Sequence, residues 1–181
     1  MNVDSMKIID ITRAISDRMA VYPGDPKVRI TSVKSLKTDG YRLSEISMGL
    51  HTGTHIDAPA HFLEKGETID GIRPIIGSAR VIDGKIPPRL LAKGEVLLIK
   101  GRKSISMGDA EIIIKGGALA IGIDSLSIGS HGVHEKLLSK GILIIEGLEL
   151  GKAKVGRYQI ICLPMRILGA EAAPARCILV C

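Results

Sequence analysis

Three of the five histidines in this 181-residue chain fall within eleven consecutive positions, His51-Thr52-Gly53-Thr54-His55-Ile56-Asp57-Ala58-Pro59-Ala60-His61, together with an aspartate. Neutral imidazoles and a carboxylate are the donors that zinc, manganese and iron accept. An isolated histidine is usually satisfied by ordinary hydrogen bonds, but chance is a poor account of three beside Asp57, so the segment reads as metal-binding. A divalent ion lowers the pKa of bound water toward about 7 and polarises a carbonyl, which makes hydrolysis the chemistry such a site would perform.

The threonines, Gly53 and Pro59 disfavour a helix here, so His51 and His55 do not match the helical H-E-x-x-H pair of zinc proteases. In an extended chain, residues of equal parity share a face, and His51, His55, Asp57 and His61 are all odd-numbered. Full extension would nevertheless hold His51 and His55 about 13 Å apart at roughly 3.3 Å per residue, too far to share an ion. The strand must bend, and Gly53 is the expected place.

The elements that position this segment are mainly β in the first half: Lys7 to Ile11, Val28 to Val33, Leu43 to Leu50 and Ala79 to Ile82 carry β-branched or alternating apolar residues. Tyr22-Pro23-Gly24-Asp25-Pro26 is a turn. The second half alternates. Strands are expected at Glu95 to Ile99, Ala118 to Ile123 and Ile142 to Ile145, with helices at Asp109 to Lys115 and Val133 to Lys140 that end at glycines. Late strands follow at Gln159 to Leu163 and Cys177 to Val180. The order predicts an α/β fold, one sheet with helices packed on it, in a single domain over residues 1–181. Glu146 ends a strongly apolar strand, where a charge needs a partner and where active sites of α/β sheets gather.

The longest apolar runs are far shorter than the roughly 20 residues of a membrane-spanning helix, and residues 1–7 lack a secretory signal, so a cytoplasmic protein without a membrane partner is expected. Cys162, Cys177 and Cys181 form no C-x-x-C pair and are odd in number, so reduced thiols are expected. The net charge of +6 could attract a nucleic acid, but the basic residues are dispersed and one Phe and three Tyr offer little stacking surface. A small-molecule substrate is the expected partner.

The segment His51 to Phe62, HTGTHIDAPAHF, resembles the signature of the cyclase family of metal-dependent hydrolases, which includes the bacterial kynurenine formamidases. Further resembling blocks are Asp10 to Pro26, Gly122 to Ser125, His134 to Leu138, Ile144 to Leu148, and the tail from Leu163-Pro164 to Pro174-Ala175-Arg176. The resemblance implies a mixed sheet with a barrel-like core and helices packed outside, of the swivelling β/β/α kind. It implies two metal ions per chain, zinc or else manganese or iron. His51, His55 and Asp57 would surround one ion, with Asp57 bridging to a second completed by His134 and Glu146. His61 would be the general acid/base and Tyr22 an aromatic contact for substrate. His131 competes with His134, and Glu149 and Glu171 are weaker rivals of Glu146. The implied reaction is hydrolysis of an N-formyl aryl amide such as N-formylkynurenine. A lactone, ester or cyclisation activity, or a metal protein without catalysis, are the alternatives. A homo-oligomer, dimer or tetramer, is also implied.

Overall fold

The computed structural model describes residues 7–86 and 92–181. The reading of the amino terminus as lacking a secretory signal rests largely on residues 1–6, outside the described residues. Strands β4 (His55–Asp57), β5 (Ile75–Asp83), β6 (Val96–Lys100), β7 (Ala120–Ile123), β8 (Leu143–Glu146), β9 (Gly156–Pro164) and β10 (Ala172–Val180) form one mixed sheet in the order β10-β4-β8-β7-β6-β5-β9. Because β9 also pairs with β10, the sheet closes into a seven-stranded barrel. A short β1 (Ile8–Asp10) adds to the outside of β10. Strands β5 to β8 run parallel. The two crossovers β6-β7 and β7-β8 carry helices α2 (Met107–Gly116) and α3 (His131–Leu138), as a parallel sheet requires.

Alternation along the strands divides the core in two. Ile56, Leu98 and Ile145 point into the barrel, whereas Leu97, Ile99, Ile121 and Ile144 point outward beneath the helices. Strands covered on both faces lose the apolar/polar alternation, which is why β6 reads as the unbroken run Val96-Leu97-Leu98-Ile99. Helix α2 starts two residues before its expected position because Ser106 and Asp109 form a capping box, and it stops at Gly117, whose φ is +68°.

Other elements depart from expectation. The strand expected to reach Leu50 ends at Ser47 as β3 (Leu43–Ser47), because the chain turns at Gly49. Among the described residues β3 pairs only with β2 (Arg29–Lys34), and a one-turn helix α1 (Leu36–Asp39) joins the two strands. Cys162 and Cys177 correct the expectation of reduced thiols. They stand directly opposite in the β9–β10 register and are joined as a disulfide, while Cys181 is free and exposed. The two lie fifteen positions apart in the sequence, and the strand pairing is what brings them together. No helix among the described residues is long and apolar enough to cross a membrane.

One close backbone approach fixes the strands at the site. Gly147, immediately after β8, has φ +65°, and a Cβ there would run into the carbonyl of Gly53. Thr54 ties the same two loops together: its hydroxyl donates to the Gly147 carbonyl at 2.8 Å and accepts from the Arg13 backbone N–H at 2.8 Å. Gly147→Ala therefore combines a left-handed backbone with a steric clash and should cost more than about 2 kcal/mol. At about 2–4 °C per kcal/mol for a chain this size, thermal melting should show the loss, and an unchanged Tm would contradict the close approach.

Candidate metal centre

Strand β4 holds His55 and Asp57 on one face and Ile56 on the other, with Ile56 in the barrel interior. Both polar side chains therefore face outward, toward the helix layer. In the β4–β8 register His55 lies opposite Glu146, which shares the outward face of Ile144. Helix α3 then brings His134 over the end of β8, with its Nε2 3.0 Å from Glu146 Oε1. The helix begins two residues earlier than its periodicity suggests, which puts His134 in its first turns.

His51 and His61 arrive by turns rather than by strand parity. The chain bends through Gly49 to Gly53, where φ is +70°, and this folds His51 back until its ring centroid is 5.0 Å from that of His55. The expected bend at Gly53 is present, and it closes the roughly 13 Å gap of an extended chain. Past β4, Pro59 opens the 3-10 turn Pro59–His61, which swings the His61 ring to 4.1 Å from that of His51.

Asp57 is the centre of the cluster and is wholly buried. Its Oδ1 lies 3.0 Å from His51 Nδ1 and 3.4 Å from His55 Nε2, and its Oδ2 lies 3.8 Å from His134 Nε2. These contacts are close enough for strong attraction but lack hydrogen-bond alignment, so both Asp57 oxygens, His51 Nε2 and His55 Nε2 are buried without a hydrogen-bond partner among the described residues. Four such orphaned atoms in one spot are costly unless something else satisfies them. The donor set fits a divalent cation. Ligating atoms of His51, Asp57 and His61 lie within 4.8 Å of one another, as do those of His55, Asp57 and Glu146, and Asp57 belongs to both groups.

Backbone contacts orient the imidazoles for this role. His55 Nδ1 is 3.1 Å from the Gly53 carbonyl and His134 Nδ1 is 3.0 Å from the Ser130 carbonyl. Each carbonyl accepts only from a protonated Nδ1, so in the neutral rings Nε2 is left as the donor atom for a metal. Glu146 is held by the Ile128 backbone N–H, which donates to its Oε1 at 2.6 Å.

Charge follows from this packing. Burial opposes a positive His55, but the Asp57 and Glu146 carboxylates outweigh it and lift the imidazole to about 10. For His134 burial again opposes charge, and Glu146 with the Ser130 carbonyl raises it above the ordinary histidine value. Burial would push Asp57 up, but His51 and His55 hold it well below the usual carboxylate range. His55 thus carries a proton at neutral pH, which a cation bound at its Nε2 would displace. Metal added near pH 7 should therefore release at least one proton per chain, and affinity should rise as pH rises toward 10. Calorimetric titration in two buffers of different ionisation enthalpy checks this, and an observed enthalpy independent of buffer would contradict it.

The other sequence candidates take separate places. His131 is 73% exposed, beside Glu135, with its ring edge-on to Phe62, so it stands at the rim and does not face Glu146. Glu149 pairs with Lys152 at the surface. Glu171 reaches His51 Nε2 at 3.4 Å and is a neighbour of the cluster rather than a remote solvated acid. Tyr22 lines a cavity of about 320 Å³ that opens over His51, His61 and His134. Phe62 and the Ser127–Gly129 loop line it too, and sequence reasoning did not single them out. Phe62 directly follows His61 and was the available signal. Arg13 was also missed: its guanidinium donates to the carbonyls of Asp124, Gly147 and Leu148, bracing the loops behind the site.

This geometry has known counterparts. A family model described as "Putative cyclase" matches residues 9–100. A kynurenine formamidase of Salinibacter ruber is 31% identical over 206 residues, spanning 96% of this chain and 97% of its own. An uncharacterised protein of Methanocaldococcus jannaschii is 36% identical over 188 residues, spanning 96% and 98%. Among solved structures, one titled as a potential metal-dependent hydrolase with cyclase activity superposes with a TM-score of 0.83 at 30% identity, covering 97% of this chain and 98% of that one. Isatin hydrolase A of Labrenzia aggregata has a TM-score of 0.81 at 17% identity over 98% and 94% of the two chains, a likeness of fold. With its barrel, its histidine-rich segment and these relatives, the chain belongs to the cyclase family.

Proposed function

We propose that this protein is a metal-dependent amidohydrolase that cleaves an N-formyl aryl amide, N-formylkynurenine to kynurenine and formate, or a related small amide. The observation that carries the reading is the buried Asp57 carboxylate, unsatisfied at both oxygens and surrounded by His51, His55 and His134 beneath an open cavity. His51, His55 and Asp57 would hold one cation, and Asp57, His134 and Glu146 a second, with zinc the first choice and manganese or iron compatible with the same donors. Cations so held activate water and polarise the carbonyl under attack.

The chain's own residues do the rest. Burial pushes the His61 imidazole below its ordinary value; the Asp57 carboxylate opposes this, and the His51 and His134 rings add to it. His61 is therefore neutral near pH 7 and able to accept a proton. As water attacks the formyl carbon, His61 takes its proton. When the C–N bond breaks, His61 returns that proton to the departing amine nitrogen, so one water and one amide become an amine and formic acid, which ionises to formate by releasing a proton to solvent. Phe62 packs against the rings of both His61 and His134 and gives this wall of the cavity an apolar face.

Tyr22, half exposed at the cavity mouth, would stack on the substrate ring. A ring contact contributes about 0.5–1.5 kcal/mol, so Tyr22→Ala should raise KM by roughly twofold to tenfold with kcat little changed. An unaltered KM would remove Tyr22 from the substrate site. A lactone, ester or cyclisation activity is the second reading, kept because a relative titled as a metal-dependent hydrolase with cyclase activity is as similar to this chain as the formamidases are. Formate release from N-formylkynurenine, with and without a chelator, tests the first reading. Absence of formate together with chelator-sensitive turnover of a lactone or ester would replace it with the second.

A further inference from the structure

We infer that Glu171 is the positioning residue for His51: its carboxylate faces the ring Nε2 from outside the cluster and so turns Nδ1 toward Asp57. The inference rests on the proposed metal role of His51 and adds the group that holds its ring. His55 and His134 need no such side chain, because the Gly53 and Ser130 carbonyls meet their Nδ1 atoms at 3.1 and 3.0 Å. For His51 the structure supplies carboxylates instead. Its Nδ1 lies 3.0 Å from Asp57 Oδ1 and its Nε2 lies 3.4 Å from Glu171 Oε1. The ring is thus turned the other way round, with Nδ1 toward the centre and Nε2 toward the rim.

The orphaned atoms of the cluster separate on the same line. Both Asp57 oxygens and His55 Nε2 face one another, the imidazole nitrogen being 3.4 Å from Asp57 Oδ1 and 3.5 Å from Glu146 Oε2. A cation among them can satisfy all three. His51 Nε2 is the fourth orphan and faces Glu171. An imidazole cannot aim both nitrogens at one ion, so with Nδ1 turned to Asp57 the outer nitrogen needs a different partner. A carboxylate there favours the neutral ring protonated on Nε2, which leaves the Nδ1 lone pair free for a cation and makes that nitrogen more basic.

The backbone delivers Glu171 to this place independently of its side chain. Gly169 N–H donates to Asp70 Oδ1 at 3.0 Å, the Ala170 carbonyl accepts from Ile69 N–H at 2.8 Å, and the Glu171 carbonyl accepts from Ala58 N–H at 2.9 Å. The next residue, Ala172, stands opposite Asp57 in the β10–β4 register. Glu171 is therefore fixed beside the end of the strand that carries Asp57. Its carboxylate is 44% exposed and forms no other ion pair among the described residues, so the contact with His51 is what its removal would take away. The His51 ring also lies 4.1 Å from the His61 ring, so the same carboxylate steadies the surface on which the proton-transfer residue rests.

The test is titration of the metal-free full chain with zinc in competition with a colorimetric chelator. Wild type should take up two ions per chain. Glu171→Ala should hold one of them about ten- to hundredfold more weakly and the other within about twofold of wild type, as expected when a single ligand loses its outer partner. Glu171→Gln, which keeps the size and removes the charge, should weaken the same ion. Cobalt-loaded Glu171→Ala should show altered visible absorption at that one site, and the metal-free variant should melt with the wild type, which separates positioning from a structural role. Both ions held at wild-type affinity in the two variants, or both weakened alike, overturns the proposal. A wild type that takes up no ion overturns the metal reading itself, before any variant is made.

Discussion

Asp57→Asn should purify without its metal and lose on the order of a thousandfold or more in kcat/KM. The substitution keeps shape and volume but replaces an anion that is wholly buried among three imidazoles. Both of its oxygens lack hydrogen-bond partners, and it alone belongs to both groups of candidate ligands. Removing its charge should therefore weaken both ions at once, which no substitution at His51 or Glu146 would do. The His55 imidazole, lifted to about 10 by Asp57 and Glu146 together, should titrate lower in the variant. Elemental analysis of the purified variant reads the main effect directly. Two ions retained per chain would contradict the bridging role, and a normal far-UV spectrum would show that the loss is not one of folding.

His61→Ala should separate chemistry from binding. A positioned general acid/base contributes about 10²- to 10⁴-fold, so kcat should fall by that range while metal content stays at the wild-type level. The contrast is sharp because the alternative has geometric support: the nitrogens of His61 and His51 and an Asp57 oxygen lie within 4.8 Å of one another. If His61 is a ligand, the variant loses metal and activity together. His61 is partly exposed and lines the cavity, while His55 and Asp57 are buried, and the resemblance to the family signature gives it the proton-transfer role. Loss of metal from the His61→Ala protein would reassign it.

Much of this site was legible in the sequence because its parts are local. The cluster from His51 to His61 announces a metal site by residue type alone, and the need for a bend at Gly53 follows from the reach of a strand. Glu146 is conspicuous as a carboxylate closing an apolar run, and it does sit at the end of β8 against His134. The parity argument was right for a narrower reason than expected. It holds for His55 and Asp57, which share a face of β4, whereas His51 and His61 converge through the Gly49–Gly53 turn and the Pro59 turn.

What the sequence concealed is non-local. Pairing of β9 with β10 closes the barrel, and nothing in either strand's pattern specifies its neighbour. The same pairing sets Cys162 against Cys177, which residue counting alone treats as unrelated thiols. Helix α2 starts two residues early because its cap Ser106, rather than hydrophobic periodicity, decides where it begins. Strands Val28 to Val33 and Leu43 to Leu50 were expected from their alternation, but alternation does not say whether the apolar face meets the core. In β2 and β3 it does not.

The most direct measurement is elemental analysis of the purified wild-type protein, coupled to formate release before and after chelation. Two divalent ions per chain are predicted, with activity abolished by the chelator and restored by adding the metal back. A protein that holds no ion under any condition, or that releases formate at full rate once stripped, would contradict the metal centre at Asp57.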